Sequence, residues 1–283
     1  MRSEGSRLGA LREWSPSPVW PLGRGVFLLR PLLDERRARI RKILHSAGER
    51  WIDDPANVDP RSPRARARAR LQDAADPEVG PGGDQALADL ARSVTVAPQG
   101  FLRIEREALR RAPGSVGRRL LAAGIVCAGG GARPPLGDRL DRLFAQSVGP
   151  APFQATLSGC KIIAADDLFL ARDAGEVRRG GLAAVALRPH VAEVWDGRFE
   201  LTADQDGLTV RALAGAMAGL DKAHRRAVLA LPALIRPSLP VVTSLASAPV
   251  CPILACDARV RMSSLIAARF LAACGAISKE PAT

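Results

Sequence analysis

Two hydrophobic periods alternate along the chain and divide it. After an extended approach at residues 15–21 with three prolines, the apolar run Val26 to Leu29 suits a buried strand. Beyond Arg30-Pro31 the spacing turns helical: Asp34 can cap, Ile40, Ile43 and Leu44 line one face, and Gly48 stands where a C-terminal cap belongs. The other face carries Arg36, Arg37, Arg39, Arg41 and Lys42. Trp51 to Pro60 is a turn-forming loop whose Asp and Asn side chains can bond nearby backbone amides. The following Arg64 to Arg70 alternates Arg with Ala. As a strand it would place its four guanidinium groups on one face; as a helix it would stack them at i, i+4.

A breaker cluster at residues 73–83, with Asp76-Pro77 and Gly80-Pro81-Gly82-Gly83, reads as a linker. Helical spacing resumes with Asp84 as cap and Leu87 and Leu90 on one side, then a short strand at Ser93 to Ala97. Arg103 to Ile125 is broken by Pro113-Gly114, and Leu136, Leu140, Leu143 and Phe144 mark a core-facing helix after Pro135. From Gln154 the period becomes two. Ala155 to Ala164 and Leu168 to Arg172 flank the turn Asp166-Asp167, and Val191 to Trp195 and Arg198 to Thr202 flank the stronger hairpin signal Asp196-Gly197. A third turn, Asp206-Gly207, joins Phe199 to Ala203 with Leu208 to Leu213. Ala214 to Leu231 is a helix or a pair of turns, and the Pro-rich stretch through Ile253 adds further strands. The pattern predicts an α+β fold, with a helical connector over 73–150 and a β-rich module over 151–283.

Composition sharpens the choice of partner. The 283 residues carry 41 Lys+Arg against 29 Asp+Glu, a net charge of +12, which favours polyanions over acidic proteins or neutral metabolites. Residues 1–70 hold most of that excess. All but four of the basic residues are Arg, a skew that a GC-rich genome also produces, so position rather than total must decide. The Arg/Ala run is either a concentrated anion site or a low-complexity arginine surface.

Chemistry is sparse. Cys127, Cys160, Cys251, Cys256 and Cys274 are scattered without CxxC spacing, which fits reduced, mostly buried thiols in a cytoplasmic protein. His45, His190 and His224 form no metal-binding spacing, and neither a GxSxG elbow nor a phosphate loop is present. Gly129-Gly130-Gly131 lacks a following Lys-Ser/Thr and reads as a plain loop. The carboxylate pairs Asp53/Asp54 and Asp166/Asp167 sit on turns, where backbone hydrogen bonding accounts for them. Met1 to Trp20 has no apolar run typical of a secretory signal. Pro237 to Cys256 is uncharged but too rich in Pro and Ser for a membrane span, so no membrane partner is expected.

An ordered set of short motifs carries a family likeness. Trp14-Ser15-Pro16, Leu29-Arg30-Pro31-Leu32-Leu33, Gly48 with Trp51, Asp54-Pro55-Ala56-Asn57 and the Arg64/Arg66/Arg68 series resemble tRNA(Ile)-lysidine synthases. Gly130 to Pro135, Thr156 to Ile162 and the Trp195-Asp196-Gly197-Arg198-Phe199 hairpin continue the likeness in order over nearly the whole chain. The resemblance implies an ATP- and magnesium-dependent ligase that adenylates C2 of the wobble cytidine in a CAU-anticodon isoleucine tRNA. Lysine then displaces the AMP. It also implies that 1–72 is the C-terminal remnant of an α/β ATP-binding domain and 151–283 a tRNA-binding module.

Carried over on matching motifs, Arg30, Arg64, Arg66 and Arg68 are expected to meet tRNA phosphates, and Asp54 and Asn57 to shape their loop. No catalytic or metal-ligating residue is assigned. The family's SGGxDS ATP loop has no counterpart, since Ser-Gly-Gly occurs nowhere in the sequence. Ala56 stands where the family has Ser, and Ser62-Pro63 where it has an aromatic residue. The expectation is an N-terminally truncated synthase, inactive alone, that binds tRNA and works with a complementing N-terminal catalytic domain or a homodimer partner. The alternative is a non-catalytic RNA-binding adaptor. Trp51 and Trp195 could stack on bases, although core packing is the better reading of each.

Overall fold

Alternating apolar residues build the centre of the molecule, a five-stranded antiparallel sheet covered on one face by helices. The computed structural model describes residues 14–16, 27–29, 37–52, 59, 61, 81–132, 134–179, 182–245 and 247–276. At the N-terminal end β1 (Trp14–Pro16) pairs antiparallel with β2 (Phe27–Leu29), and α1 (Arg37–Ser46) follows. Gly48, at φ +71°, closes α1 as expected, and the Glu49 amide donates back to the Leu44 carbonyl at 2.9 Å. Ile43, expected on the apolar face, is instead 54% exposed.

The central unit comprises α2 (Pro81–Arg92), β3 (Thr95–Ala97), β4 (Phe101–Glu105), α3 (Arg106–Arg111), α4 (Gly114–Ala128), α5 (Asp138–Val148), β5 (Phe153–Leu157), β6 (Cys160–Ala164) and β7 (Asp167–Arg172). Its sheet order is β3-β4-β7-β6-β5. Leu102 and Ile104, Ile162, and Leu168 and Leu170 point to the same face and are buried against the helices. The stretch Leu120 to Ala128 has no charged residue, so this part of α4 is apolar all round and lies buried in the middle. Gly117 fits there because the Phe144 ring of α5 occupies the space that a Cβ would take.

Helix α2 starts at Pro81, so Asp84 falls inside its first turn rather than capping it. The first three residues of Arg103 to Ile125 complete strand β4. The single run expected over Ala155 to Ala164 is two strands. Ser158 and Gly159, both at positive φ, make a two-residue hairpin between β5 and β6. Leu140 and Leu143 are buried on α5 as expected, whereas Leu136 precedes the helix and is exposed.

After α6 (Ala174–Arg178) the chain forms β8 (Val185–Ala186), β9 (Ala192–Trp195), β10 (Phe199–Ala203), β11 (Thr209–Ala212), α7 (Lys222–Leu229), β12 (Pro240–Thr243) and β13 (Val260–Ser264). These strands form two three-stranded sheets, β13-β10-β9 and β12-β11-β8, around Trp195, Phe199, Leu201, Val210, Val242 and Val260. Asp196 and Gly197, at φ +52° and +60°, make the expected β9–β10 hairpin. At Asp206-Gly207 the chain bends, with Gly207 at φ +77°, but β10 and β11 enter different sheets, so the bend carries the chain between layers instead of closing a hairpin. Finally α8 (Ile266–Ala273) returns to the central unit and buries Ile266 and Phe270 in its core. The whole is a mixed α+β fold. No helix among the described residues is long and apolar enough to cross a membrane.

Candidate nucleic-acid interface

The six residues expected to act on tRNA or shape its loop, Arg30, Asp54, Asn57, Arg64, Arg66 and Arg68, lie outside the described residues. What the structure shows of this basic end is α1 and the segment after it. Arg39 and Lys42 are exposed, and the Arg41 guanidinium lies 5.7 Å from the centre of the Trp51 ring. Trp51 is 40% exposed, unlike Trp195, which is 1% exposed and donates its Nε1–H to the Ala183 carbonyl at 3.0 Å. Trp195 is therefore a core residue.

A second set of arginines joins the central sheet to the C-terminal strands. Asp196, at the tip of the β9–β10 hairpin, accepts from Arg172 Nε at 3.0 Å and from Arg198 Nε at 2.6 Å. Arg172 also donates to the Gly159 carbonyl at 3.1 Å and to Glu176, and Arg198 Nη2 donates to the Ser238 carbonyl at 2.8 Å. Arg269 of α8 donates to the carbonyls of Gly197 and Gly131. Burial presses hardest on all three cations. It lowers the pKa of Arg198 and Arg269, whereas Asp196 and Glu176 together outweigh it and raise that of Arg172.

The same contacts test whether the triglycine loop could cradle ATP phosphates. Gly130, at φ +70°, lies against the Asp196-Gly197 turn, where a Cβ would collide with the Asp196 carbonyl oxygen. A hairpin carbonyl and a carboxylate thus stand where a polyphosphate would need amide donors, and the loop does not fit the nucleotide. No group of three or more His, Cys, Asp or Glu side chains gathers as a metal site among the described residues. Cys127, Cys160, Cys251 and Cys274 are buried and Cys256 is exposed. Burial pushes the thiols of Cys127 and Cys251 up to about 11 and about 12, which keeps them protonated and unreactive.

Sequence reasoning missed a cleft on the uncovered face of the central sheet. Its volume is about 760 Å³. Thr95, Phe101, Arg103, Ile163 and Phe169 form its floor, and Pro232 to Leu234 its opposite wall. The rings of Phe101 and Phe169 stack with centroids 5.0 Å apart and planes 18° from parallel. Arg103 Nε reaches Asp167 at 2.5 Å, and Asp166 is exposed in the adjoining turn. The signal was present: Phe101 and Phe169 occupy the outward phase of β4 and β7, opposite to Leu102, Ile104, Leu168 and Leu170, where a solvated sheet face calls for polar residues.

Comparison with known proteins gives this geometry a family. The PP-loop domain family matches residues 7–75. The tRNA(Ile)-lysidine synthase of Caulobacter vibrioides is 43% identical over the whole chain, which spans 67% of that relative's length. The chain belongs to the tRNA(Ile)-lysidine synthase family. Lysidine synthases of Hyphomonas neptunium and Rhizobium meliloti are 34% and 31% identical over 56% and 67% of the chain, which covers 46% and 43% of their lengths. The PP-loop match falls on the segment of β1, β2 and α1. The lysidine synthase likeness also runs through the central sheet and the C-terminal strands.

Proposed function

We propose that this chain supplies the tRNA-binding part of a lysidine synthase. ATP would be bound by a Ser-Gly-Gly loop that these 283 residues do not contain. The observation that carries this reading is the 43% identity to a lysidine synthase over the full length of the chain. Charge supports it, since the basic excess concentrates in residues 1–70, beside the motifs that match the family. In this reading Arg30, Arg64, Arg66 and Arg68 hold tRNA phosphates, and Asp54 and Asn57 fix the loop that presents them. Phosphate contacts set register while carrying no sequence information, so they suit a surface that positions the anticodon for chemistry elsewhere.

The test is ATP-dependent incorporation of labelled lysine into isoleucine tRNA, run with and without an added SGGxDS-containing PP-loop fragment. We expect no incorporation by the chain alone, incorporation with the fragment, and tRNA binding in both cases. Incorporation by the chain alone would refute the dependence on an added ATP loop. Persistent tRNA binding without incorporation in either arm would favour the adaptor reading. Replacing Arg64, Arg66 and Arg68 together by Ala should lower the slope of log affinity against log salt by about 2 to 3; an unchanged slope would remove them from the interface.

A further inference from the structure

We infer that the cleft between the outer face of the central sheet and the Pro232–Leu234 segment takes an unpaired nucleobase of the bound RNA, stacked on the Phe101/Phe169 pair. The inference rests on the proposed tRNA binding and adds where an unpaired base would sit. Phe101 and Phe169 lie on adjacent central strands of an open antiparallel sheet, half-buried, with their rings stacked. An aromatic pair on such a face is the arrangement by which antiparallel sheets hold single-stranded RNA, because every base offers a π face whatever its identity. Core packing does not account for these rings. The alternate residues of the same strands already fill the helix-covered core, and the cleft on this side is open.

Polar groups at the rim favour a nucleobase over a purely apolar guest. Arg103, exposed beside Phe169 on the neighbouring strand, offers N–H groups to a base carbonyl or ring nitrogen even while its Nε is engaged by Asp167. Asp166, at the edge of the cleft, is a carboxylate that can accept from the exocyclic amino group of adenine, cytosine or guanine. Guanidinium N–H groups beside the rings and carboxylate acceptors at the rim match the acceptor and amino edges of one base. They do not match an aliphatic peptide segment. The volume of about 760 Å³ lies within the range of sites that hold single small ligands.

The experiment uses the full chain and a short single-stranded RNA carrying 2-aminopurine, whose fluorescence falls when the base stacks. It is run beside a binding titration with unlabelled isoleucine tRNA. We expect saturable quenching. Phe169→Leu and Phe101→Leu, which keep apolar bulk but remove the ring, should each weaken oligonucleotide binding about fivefold to tenfold and abolish most of the quench. A duplex of the same sequence should not be quenched. Steep, salt-dependent tRNA binding without 2-aminopurine quenching, or quenching unchanged in both Leu variants, would overturn the inference and leave the proposed function standing. Absence of tRNA binding at low salt would instead overturn the proposed function. Circular dichroism of the Leu variants confirms that any loss is not unfolding.

Discussion

Arginine is put to two different uses at the two ends of this molecule. On α1 the basic side chains Arg39 and Lys42 are exposed, where their charge can act on a polyanion through solvent. In the central and C-terminal parts, Arg106, Arg172, Arg198 and Arg269 are 1%, 5%, 0% and 4% exposed. There the guanidinium serves as a rigid multiple donor. Arg106 gathers the carbonyls of Gln146, Ser147, Gly149, Ala151 and Ala165, and so closes the C-terminal end of α5, where orphan carbonyls and the helix dipole favour a cation. Arg172, Arg198 and Arg269 fasten a hairpin turn to a sheet end and a helix. A net charge of +12 therefore overstates the surface offered to nucleic acid, because part of it is structural.

That contrast can be broken from the buried side first. Asp196→Ala should be the most damaging substitution, since it leaves Arg172 and Arg198 buried without their shared carboxylate. The expected loss is about 3–5 kcal/mol of unfolding free energy in urea titration. Arg106→Met keeps most of the volume but strips the donor from several inward-facing carbonyls. We expect about 2–3 kcal/mol, smaller because no charge is orphaned. If either substitution were neutral, the buried arginines would not be the fasteners described.

The sequence disclosed the periodic parts of this design and concealed the rest. The Asp196-Gly197 hairpin was legible because both residues tolerate positive φ. The Ser158-Gly159 turn was not, because apolar residues run on both sides of it and a Ser at positive φ is a weak signal. The switch of sheets after Ala203 depends on long-range pairing of β10 with β13 and β11 with β12, which local turn chemistry does not encode. At the site, the motif order pointed to the family, but composition does not tell a buried arginine from an exposed one. Only packing separates Arg198, sealed against Phe199 with its guanidinium carbon 4.9 Å from the ring centre, from Arg39. The aromatic cleft was missed because hydrophobic spacing was read for the core alone.

A smaller effect should appear in acid. The Asp257 carboxylate accepts from the Arg259 side chain and backbone, which holds its pKa below the usual carboxylate value despite partial burial. A carboxyl whose pKa is depressed on folding adds stability that is fully present above its unfolded value near pH 4 and disappears as pH falls through the folded one. Asp257→Asn should therefore flatten part of the loss of stability below about pH 4 and cost no more than about 1 kcal/mol at neutral pH. An unaltered acid limb in the variant would show that this pair adds nothing to folding.

The smallest change in stability, and the sharpest test of the contrast, belongs to α1. Arg39→Ala and Lys42→Ala should each leave the unfolding free energy within about 0.5 kcal/mol, because an exposed helical position has little packing to lose. If this face meets tRNA, each substitution releases one fewer counterion on binding, and the slope of log affinity against log salt should fall by about 0.7 to 0.9 per residue. Asp196→Ala, measured where the protein stays folded, should leave that slope unchanged, since its partners are held away from solvent. A slope that responded to Asp196 and ignored Arg39 and Lys42 would invert the assignment, placing the RNA-facing charge at the module junction and the merely solvated charge on the helix.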